Sequence, residues 1–559
     1  MDINTNSDGS KDFYNKLLNA TLKLYGTSSI AFNQVDYIFD MIQTLFKLEH
    51  TNIKNTLQRN ADNDKSKQIS SNVLSIYNSS ENSLKQFNTE YHRLQVLQKN
   101  KSYIPPIEFF IGSRCATLKR DSEGNLKSRP KTVTGLLFPL RAMFKKVFEL
   151  PGIYESVQHY KQELEKNKNI VTNYIQSINW QKKIANFPSK NDVLPLLLFS
   201  DDYETGNCLG SHADSNKLCG TYVSIACFPP HLQSLNSIFH ALIYYSKDRQ
   251  EYGNFAVFRT LIQELQFLET TGVEINLRNN VKRTIYFKLG LILGDNLGLH
   301  SILGLVENFN SSYSCRFCKM DSVQRSLATL EDPRLIRDNN SYDTDVSLKD
   351  PSSTGIKQNC IFNRLSSFHI FDNVVVDIMH DFIEGVMHRD MHDILNYYIN
   401  TVKLFSLVEL THRIKLYDFG EFDIRNKPPE ILVSHLKCGS LKMSAGEMLT
   451  FVRHFGIIMG HLIPDEDIVY RLYLNILEIL DIILSRSVHK QCRGLLTSLV
   501  SEHHLLSSSI FKRKFKTKEH NMIHYDTVMH ESGPLINFSG MRWEAKHKES
   551  RLLASVSNS

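Results

Sequence analysis

The stretch Val193-Leu-Pro-Leu-Leu-Leu-Phe-Ser-Asp201-Asp-Tyr-Glu-Thr-Gly206 decides how this chain is read. A short apolar run closed by a polar turn marks a buried strand ending in a loop. Pro195 weakens that reading for the first residues of the run. Asp201 and Asp202 follow it, and neighbouring strand residues point to opposite faces, so only one of them can face a common site. A second run of the same kind, Arg283 to Leu293, ends at Gly294-Asp295-Asn296. Carboxylates at the ends of adjacent buried strands have a separation set by the sheet. That suits two divalent cations about 3.5–4 Å apart, each also liganded by water and phosphate oxygens. Aspartates commonly close strands and open turns, so each one alone is equally an ordinary turn residue.

Outward from these runs the pattern alternates. Thr221 to Phe228 reads as a strand stopped by Pro229-Pro230, joined to the first by a Gly- and Asn-containing hairpin-like connection. A helix over about 253–270 and a short strand from Val273 to Leu277 precede the second apolar run. Upstream, residues 130–190 read as helix, with Leu140, Met143, Phe144 and Val147 on one face. Residues 1–100 read as scattered helices, with Phe39, Ile42, Leu45 and Phe46 at helical spacing and a polar stretch over 51–70. Residues 321–358 contain Asp-Pro, Asn-Asn and Pro-Ser-Ser and read as a mobile loop or linker. From about 372 to 508 the chain is almost all helix by periodicity. The basic run Phe511-Lys-Arg-Lys-Phe-Lys-Thr-Lys518 follows it.

The bulk numbers exclude some classes. With 559 residues, 42% hydrophobic and 22% charged, the chain is globular and long enough for several domains. A net charge of +6, from 65 Lys and Arg against 59 Asp and Glu, is compatible with nucleic acid and equally with a solvated surface. Nine cysteines, an odd number, do not form a disulfide framework, which favours a reducing, intracellular compartment. The opening MDINTNSDGSKDF lacks a basic region followed by an apolar core, so no secretory signal is expected. The longest apolar candidate, Leu472 to Leu484, is broken by Glu478 and Asp481, so no membrane span is expected.

Cys315 and Cys318 form the one CxxC, and two thiolates from a tight turn can bind one ion. Half a zinc site, a redox pair and chance are the alternatives. The redox reading lacks a thioredoxin-like strand before the motif. His520 and His524, four apart, would share a helix face and could complete a zinc site. A pair of exposed histidines in a basic segment is the bland alternative. A third carboxylate is ambiguous by chemistry alone: Val376 to Gly385 is dense in acids and histidines, with His380 and Glu384 four apart, as are His388 and His392. Such pairs suit a metal, or a charged surface helix.

At these residues a family resemblance appears. Leu198-Phe-Ser-Asp-Asp-Tyr-Glu-Thr-Gly-Asn-Cys-Leu-Gly-Ser211 resembles the first-aspartate segment of CACTA-type (En/Spm) DDE transposases, and Asp201 is the matching acid. Gly294-Asp-Asn-Leu-Gly-Leu-His300 with Ser314-Cys-Arg-Phe-Cys-Lys319 resembles the second aspartate and its CxxC. Asp377 to Val386 resembles a further segment of that family. His520-Asn-Met-Ile-His-Tyr525, Gly533-Pro-Leu and Met541-Arg-Trp-Glu-Ala-Lys-His547 resemble its C-terminal block. The motif order is also similar to that of the V(D)J recombinase catalytic subunit. Cys315 lies 20 residues after Asp295, and Glu544 lies 20 after His524.

The resemblance covers roughly 190–550 and implies an α/β fold with an RNase H-like catalytic core, interrupted by a large all-helical insertion. It makes Glu544, not Glu384, the third acid. The expected organisation is a helical N-terminal region over 1–185, for DNA binding or dimerisation, and a first part of the core over 186–320. A polar linker over 321–358, a helical insertion over 359–510 and the end of the core over 511–559 follow. Implied cofactors are two magnesium (or manganese) ions on Asp201, Asp295 and Glu544, and a structural zinc on Cys315, Cys318, His520 and His524. Arg513, Lys514, Lys516 and Lys518 are candidate DNA phosphate contacts. Implied partners are double-stranded DNA, as transposon ends and target, and a second copy of the chain, in the nucleus. The chain stops soon after Glu544, where the family is expected to continue. The competing expectation is therefore a truncated or domesticated, inactive, zinc-containing DNA- or protein-binding factor. A third is an unrelated helical zinc scaffold, in which the three acids would not converge.

Overall fold

Seven strands build the centre of the protein, and the two apolar runs lie side by side within it. The computed structural model describes residues 8–26, 32–59, 64–120, 126–188, 192–204 and 217–557. The connection expected after Asp201, with Thr205 to Ser211 of the family-like segment, lies outside them. The strands are β1 (Ile107–Arg120), β2 (Leu126–Leu137), β3 (Val193–Glu204), β4 (Lys217–Ile225), β5 (Ile238–Tyr245), β6 (Val273–Asn276) and β7 (Lys282–Leu293). Their order is β1-β2-β5-β4-β3-β7-β6. β3, β4 and β5 form an antiparallel meander, and β7 joins β3 in parallel after a helical crossover. The fold is mixed α/β, with helix predominating.

β3 is central, and every residue from Val193 to Ser200 is buried, as expected of a strand covered on both faces. Pro195 precedes the first β3–β4 pair, Leu196 with Ile225. One face carries Phe239 and Phe287, and Phe144 packs on both from helix Leu140–Phe148. Helix Ser246–Thr270 covers more of that face through Phe258 against Tyr244. Phe199 and Asp201 lie on the opposite face, where the ring of Trp543 stacks on Phe199 at 5.4 Å and 11°.

The β3–β7 ladder contains one irregularity. Leu196 pairs with Leu289, but Leu197 pairs with Leu291, so Gly290 is an extra residue on β7. A bulge of this kind shifts the register by one from that point on. Only glycine fits: a Cβ at Gly290 would lie 2.7 Å from the Tyr174 ring and 3.1 Å from the Leu196 carbonyl oxygen.

Several expected boundaries shift. The described residues divide into two compact units, residues 1–107 with 548–559, and residues 108–547. Helices Asp8–Gly26, Phe32–Arg59, Asp64–Lys85 and Glu90–Lys99 belong to the first, with Leu17, Val35, Phe39, Leu84 and Phe87 as its core. The sheet begins at residue 107 rather than in the 186–320 segment. The alternating, β-branched character of Lys131-Thr-Val-Thr-Gly-Leu-Leu137 makes a strand where helix was expected over 130–190. β5 was not expected at all, and β3 runs on through Asp201 to Glu204.

Residues 321–358 do not form a structureless loop. They hold helices Ser322–Arg325, Asn339–Ser347 and Pro351–Thr354. The polar residues that suggested a linker are the helix caps: Asp321, Asp338 and Asp350 each accept a backbone N–H of the following turn. Beyond them the chain is mostly helical to Phe511, broken by connections and by the two-residue strand Val488–His489, which pairs with Ile170–Val171. Helices Met387–Asn396, Ala445–Met459 and Ile468–Ile483 bury Met391, Ile394, Phe451, Phe455, Tyr473 and Ile476. Helix Met379–Val386, which leads into them, is wound as a π-helix, a form that recurs at functional sites. Among the described residues, no helix is long and apolar enough to cross a membrane.

Candidate metal centres

Asp201, on β3, and Asp295, two residues past the end of the neighbouring parallel strand β7, stand at matching heights. The last β3–β7 pair is Phe199 with Leu293, and each aspartate lies two residues beyond it, so both return to the same face of the sheet. Had Leu196 with Leu289 set the register throughout, Gly294 would stand opposite Asp201. The Gly290 bulge therefore brings the two carboxylates level.

Asp295 also caps the helix Asn296–Leu303, its Oδ1 accepting from the Gly298 N–H at 2.6 Å. Asp202 lies on the other face of β3, and its N–H donates to Asp201 Oδ1 at 2.8 Å.

The third carboxylate arrives on the opening turns of helix Met541–Ser557. Trp543 anchors them on Phe199. One turn later His547 stacks on Tyr203 at 4.5 Å, with its Nδ1 3.7 Å from Asp201 Oδ2. Glu544 lies between these anchors. Burial pushes the Asp201 carboxyl up to about 7, and the charges of Asp295 and Glu544 add to the effect. Asp201, Asp295 and Glu544 thus form one group of mutually repelling acids.

His380 completes the group. Its Nδ1 is 2.7 Å from Asp377 Oδ2, and its Nε2 is 3.1 Å from Glu544 Oε1 and 3.9 Å from Glu384 Oε2. Burial disfavours its protonation, but Asp377 and Glu544 outweigh burial and push it up to about 11. It is an imidazolium set between carboxylates. Glu384 reaches the group through His380, whereas Glu544 acts on Asp201 itself.

The second cluster is more enclosed. Cys315, Cys318, His520 and His524 are all buried, and one ligand atom from each lies within 4.8 Å of the others. Cys315 Sγ is 3.6 Å from His524 Nε2, and Cys318 Sγ is 3.3 Å from His520 Nε2. Tetrahedral zinc with sulfur at about 2.3 Å and nitrogen at about 2.0 Å needs ligand separations of roughly 3.5 Å, so the donor set could hold a structural zinc. Burial opposes ionisation of Cys315, yet the Cys318 thiol and the two imidazoles hold it well below the usual thiol range. Glu331 orients one ligand: its Oε1 accepts from His524 Nδ1 at 2.5 Å, the carboxylate–histidine pairing common behind bound metals.

A buried polar hub joins the two clusters. Asp381, fully buried, accepts from Asn296 Nδ2 at 2.6 Å and from Asn521 Nδ2 at 3.1 Å. Asn296 follows Asp295, and Asn521 follows His520. Arg316, between the two cysteines, donates to Asn296 Oδ1 and to the Val375 carbonyl.

No family model matches the chain, and no curated protein matches it significantly.

The structure brings together Asp201, Asp295 and Glu544, and separately the four zinc-type ligands. Arg513 is different from its expectation. Its guanidinium is spent on Asp390 and Asp393 and its side chain is 7% exposed, so it cannot face DNA. Lys514 and Lys516 remain exposed, and Lys518 is half-buried. His388 and His392 make no metal pair, since each bonds a backbone carbonyl, of Leu441 and Leu436.

Sequence reasoning did not reach Trp543 and His547 as anchors, or Glu331 and Asp381. The spacing of Trp543 and His547, one helical turn, could have shown the first pair. Nothing local marks Glu331, 193 residues from its histidine.

Proposed function

We propose that this protein is a DDE-type DNA transposase with an RNase H-like core, of the CACTA-type group its motifs resemble. One observation carries the reading. Asp201 on β3 and Asp295 just past the end of the parallel β7 lie level with Glu544 beside them, and all three stem from segments of the resemblance. The meander β3–β4–β5 followed by parallel β7 supports the RNase H-like assignment. The large helical segment between β7 and Glu544 supports the insertion.

The donor set suits magnesium: hard carboxylate oxygens, partly exposed, with charge in excess. Asp201, Asp295 and Glu544 would hold two ions, which supply nucleophile activation and charge neutralisation at the leaving oxygen. The chain's own residues set the geometry. The sheet holds Asp201 and Asp295, the Trp543 stack holds Glu544, and His380 pairs with Glu544. Lys514, Lys516 and Lys518 take DNA phosphates. The reaction is hydrolysis at a transposon end, then attack of the freed 3′-OH on target DNA. Two ends require two copies, and the work is nuclear. A zinc on Cys315, Cys318, His520 and His524 ties the CxxC segment to the end of the insertion.

A second reading is a zinc-containing DNA- or protein-binding factor without hydrolysis. The ion pair of His380 with Glu544 favours it, because it occupies the third acid. Salt-dependent DNA binding measured beside magnesium-dependent nicking separates the two. Binding with nicking that Asp295→Asn abolishes supports the transposase, and binding without nicking supports the factor.

A further inference from the structure

A cavity of about 270 Å³ lies against the small ladder of Ile170–Val171 with Val488–His489. Its walls are apolar, from Val171, Ile178, Val488 and Met529. Lys490, Arg493 and His530 line it as well. Lys490 and Arg493 are exposed, and among the described residues neither side chain forms an ion pair or a hydrogen bond. Burial, then the charges of Arg493 and Lys490, lower the His530 pKa, so both cations lie near it. Asp526 also lines the cavity, but its two oxygens are drawn onto the Gly494 N–H, at 3.3 and 3.2 Å. An apolar hole with a basic edge suits an apolar group that carries an acid beside it.

The helical insertion presents such a group. Phe422, on the short helix Gly420–Asp423, is 94% exposed. Leu416 and Ile424 of the same segment are exposed too. The turn that carries the ring is braced from both ends. Phe419 is buried and meets His454 edge-on at 5.2 Å, and Asp418 accepts from the Gly420 N–H at 2.9 Å. Asp423 Oδ2 is 3.0 Å from His454 Nε2. A ring held out on a fixed turn loses little freedom when it docks. Glu421, directly before it, is exposed and forms no ion pair among the described residues. A cavity of about 150 Å³ takes benzene, so this one has room for a phenylalanine side chain.

We propose that the cavity receives Phe422 of a second copy of this chain, with Glu421 on Arg493 and Lys490. A buried aromatic anchor beside an arginine–carboxylate pair has the composition of an interface hot spot. Knob and hole are different surfaces of the chain. Two copies therefore either exchange the contact as a closed pair or pass it on along a longer assembly. The contact is independent of the transposase reading, in which paired DNA ends need two copies however they meet.

Sedimentation velocity of the full zinc-loaded chain over a concentration series, without DNA or magnesium, tests this. The parent should self-associate. Phe422→Ala, at a side chain that packs on nothing, should weaken association about thirtyfold, as at a hot-spot residue. Arg493→Glu and Glu421→Arg should each weaken it, and the two together in one chain should restore it. A parent that is monomeric throughout overturns the proposal. If that monomer still binds a labelled peptide of residues 416–425, the cavity serves an acidic–aromatic segment of another protein instead. Association that Phe422→Ala leaves unchanged, or that the paired reversal fails to restore, equally overturns it. Nicking is not read, so failure of the catalytic reading leaves these outcomes as they are.

Discussion

Asp201 and Asp295 are level because each lies two residues past the same ladder pair, Phe199 with Leu293, on parallel strands. That relationship concentrates negative charge at one sheet end. Burial and the neighbouring carboxylates push Asp201 up to about 7. The unfolded chain ionises it near 4. Its contribution to stability is therefore full below about pH 4 and is lost as pH rises through about 7. Asp201→Asn should match the parent at pH 4. At pH 8, without divalent ions, it should be more stable by on the order of 2 kcal/mol, discounted for partial exposure. Urea unfolding at the two pH values reads this, and equal stability at pH 8 would remove the charge cluster from the account.

The cysteine–histidine cluster should contain one zinc per chain. Cys318→Ser should abolish it and lower the melting temperature, because the ion joins segments 202 residues apart. Glu331→Gln should keep the metal but bind it about 10–100-fold more weakly, as expected when the carboxylate behind a ligating histidine is lost. Elemental analysis and chelator competition measure both; an unchanged affinity in Glu331→Gln would deny it that role.

Asp381 collects donors from the neighbours of both clusters, the acids and the cysteine–histidine group. Asp381→Ala leaves the amides of Asn296 and Asn521 and the buried charge of Arg316 without their carboxylate. The expected loss is about 3 kcal/mol, with weaker manganese and zinc binding together. A change confined to one metal would show that the hub does not couple them.

Much of the site was legible because its residues carry their own signals. Two apolar runs end near aspartates, a CxxC offers two thiols from one turn, and the HxxxH spacing brings two imidazoles to that cluster, although only His520 is on the helix Thr517–Met522 and His524 lies in the turn beyond it. Less of the fold was legible. The N-terminal hairpin was hidden by the strong helical spacing of Leu140 to Val147 directly after it. The segment 321–358 looked like a linker because capping aspartates and turn residues have the same composition. Arg513 sat in a basic run, and only the fold could show that Asp390 and Asp393, more than 100 residues away, claim its charge. The Gly290 bulge, which levels the two aspartates, leaves no mark a single sequence can show.

Trp543 holds Glu544 by stacking on Phe199. Trp543→Ala should cost about 3–5 kcal/mol and weaken manganese binding at the acid group while zinc content stays at one per chain. If manganese affinity survives, Glu544 does not depend on that anchor.

The most direct measurement is nicking of supercoiled plasmid by the zinc-loaded chain with magnesium or manganese, beside Asp201→Asn, Asp295→Asn and Glu544→Gln. The account predicts metal-dependent nicking by the parent and loss of it in all three variants, with zinc content unchanged. No nicking by the parent, or nicking that persists in the variants, would contradict it.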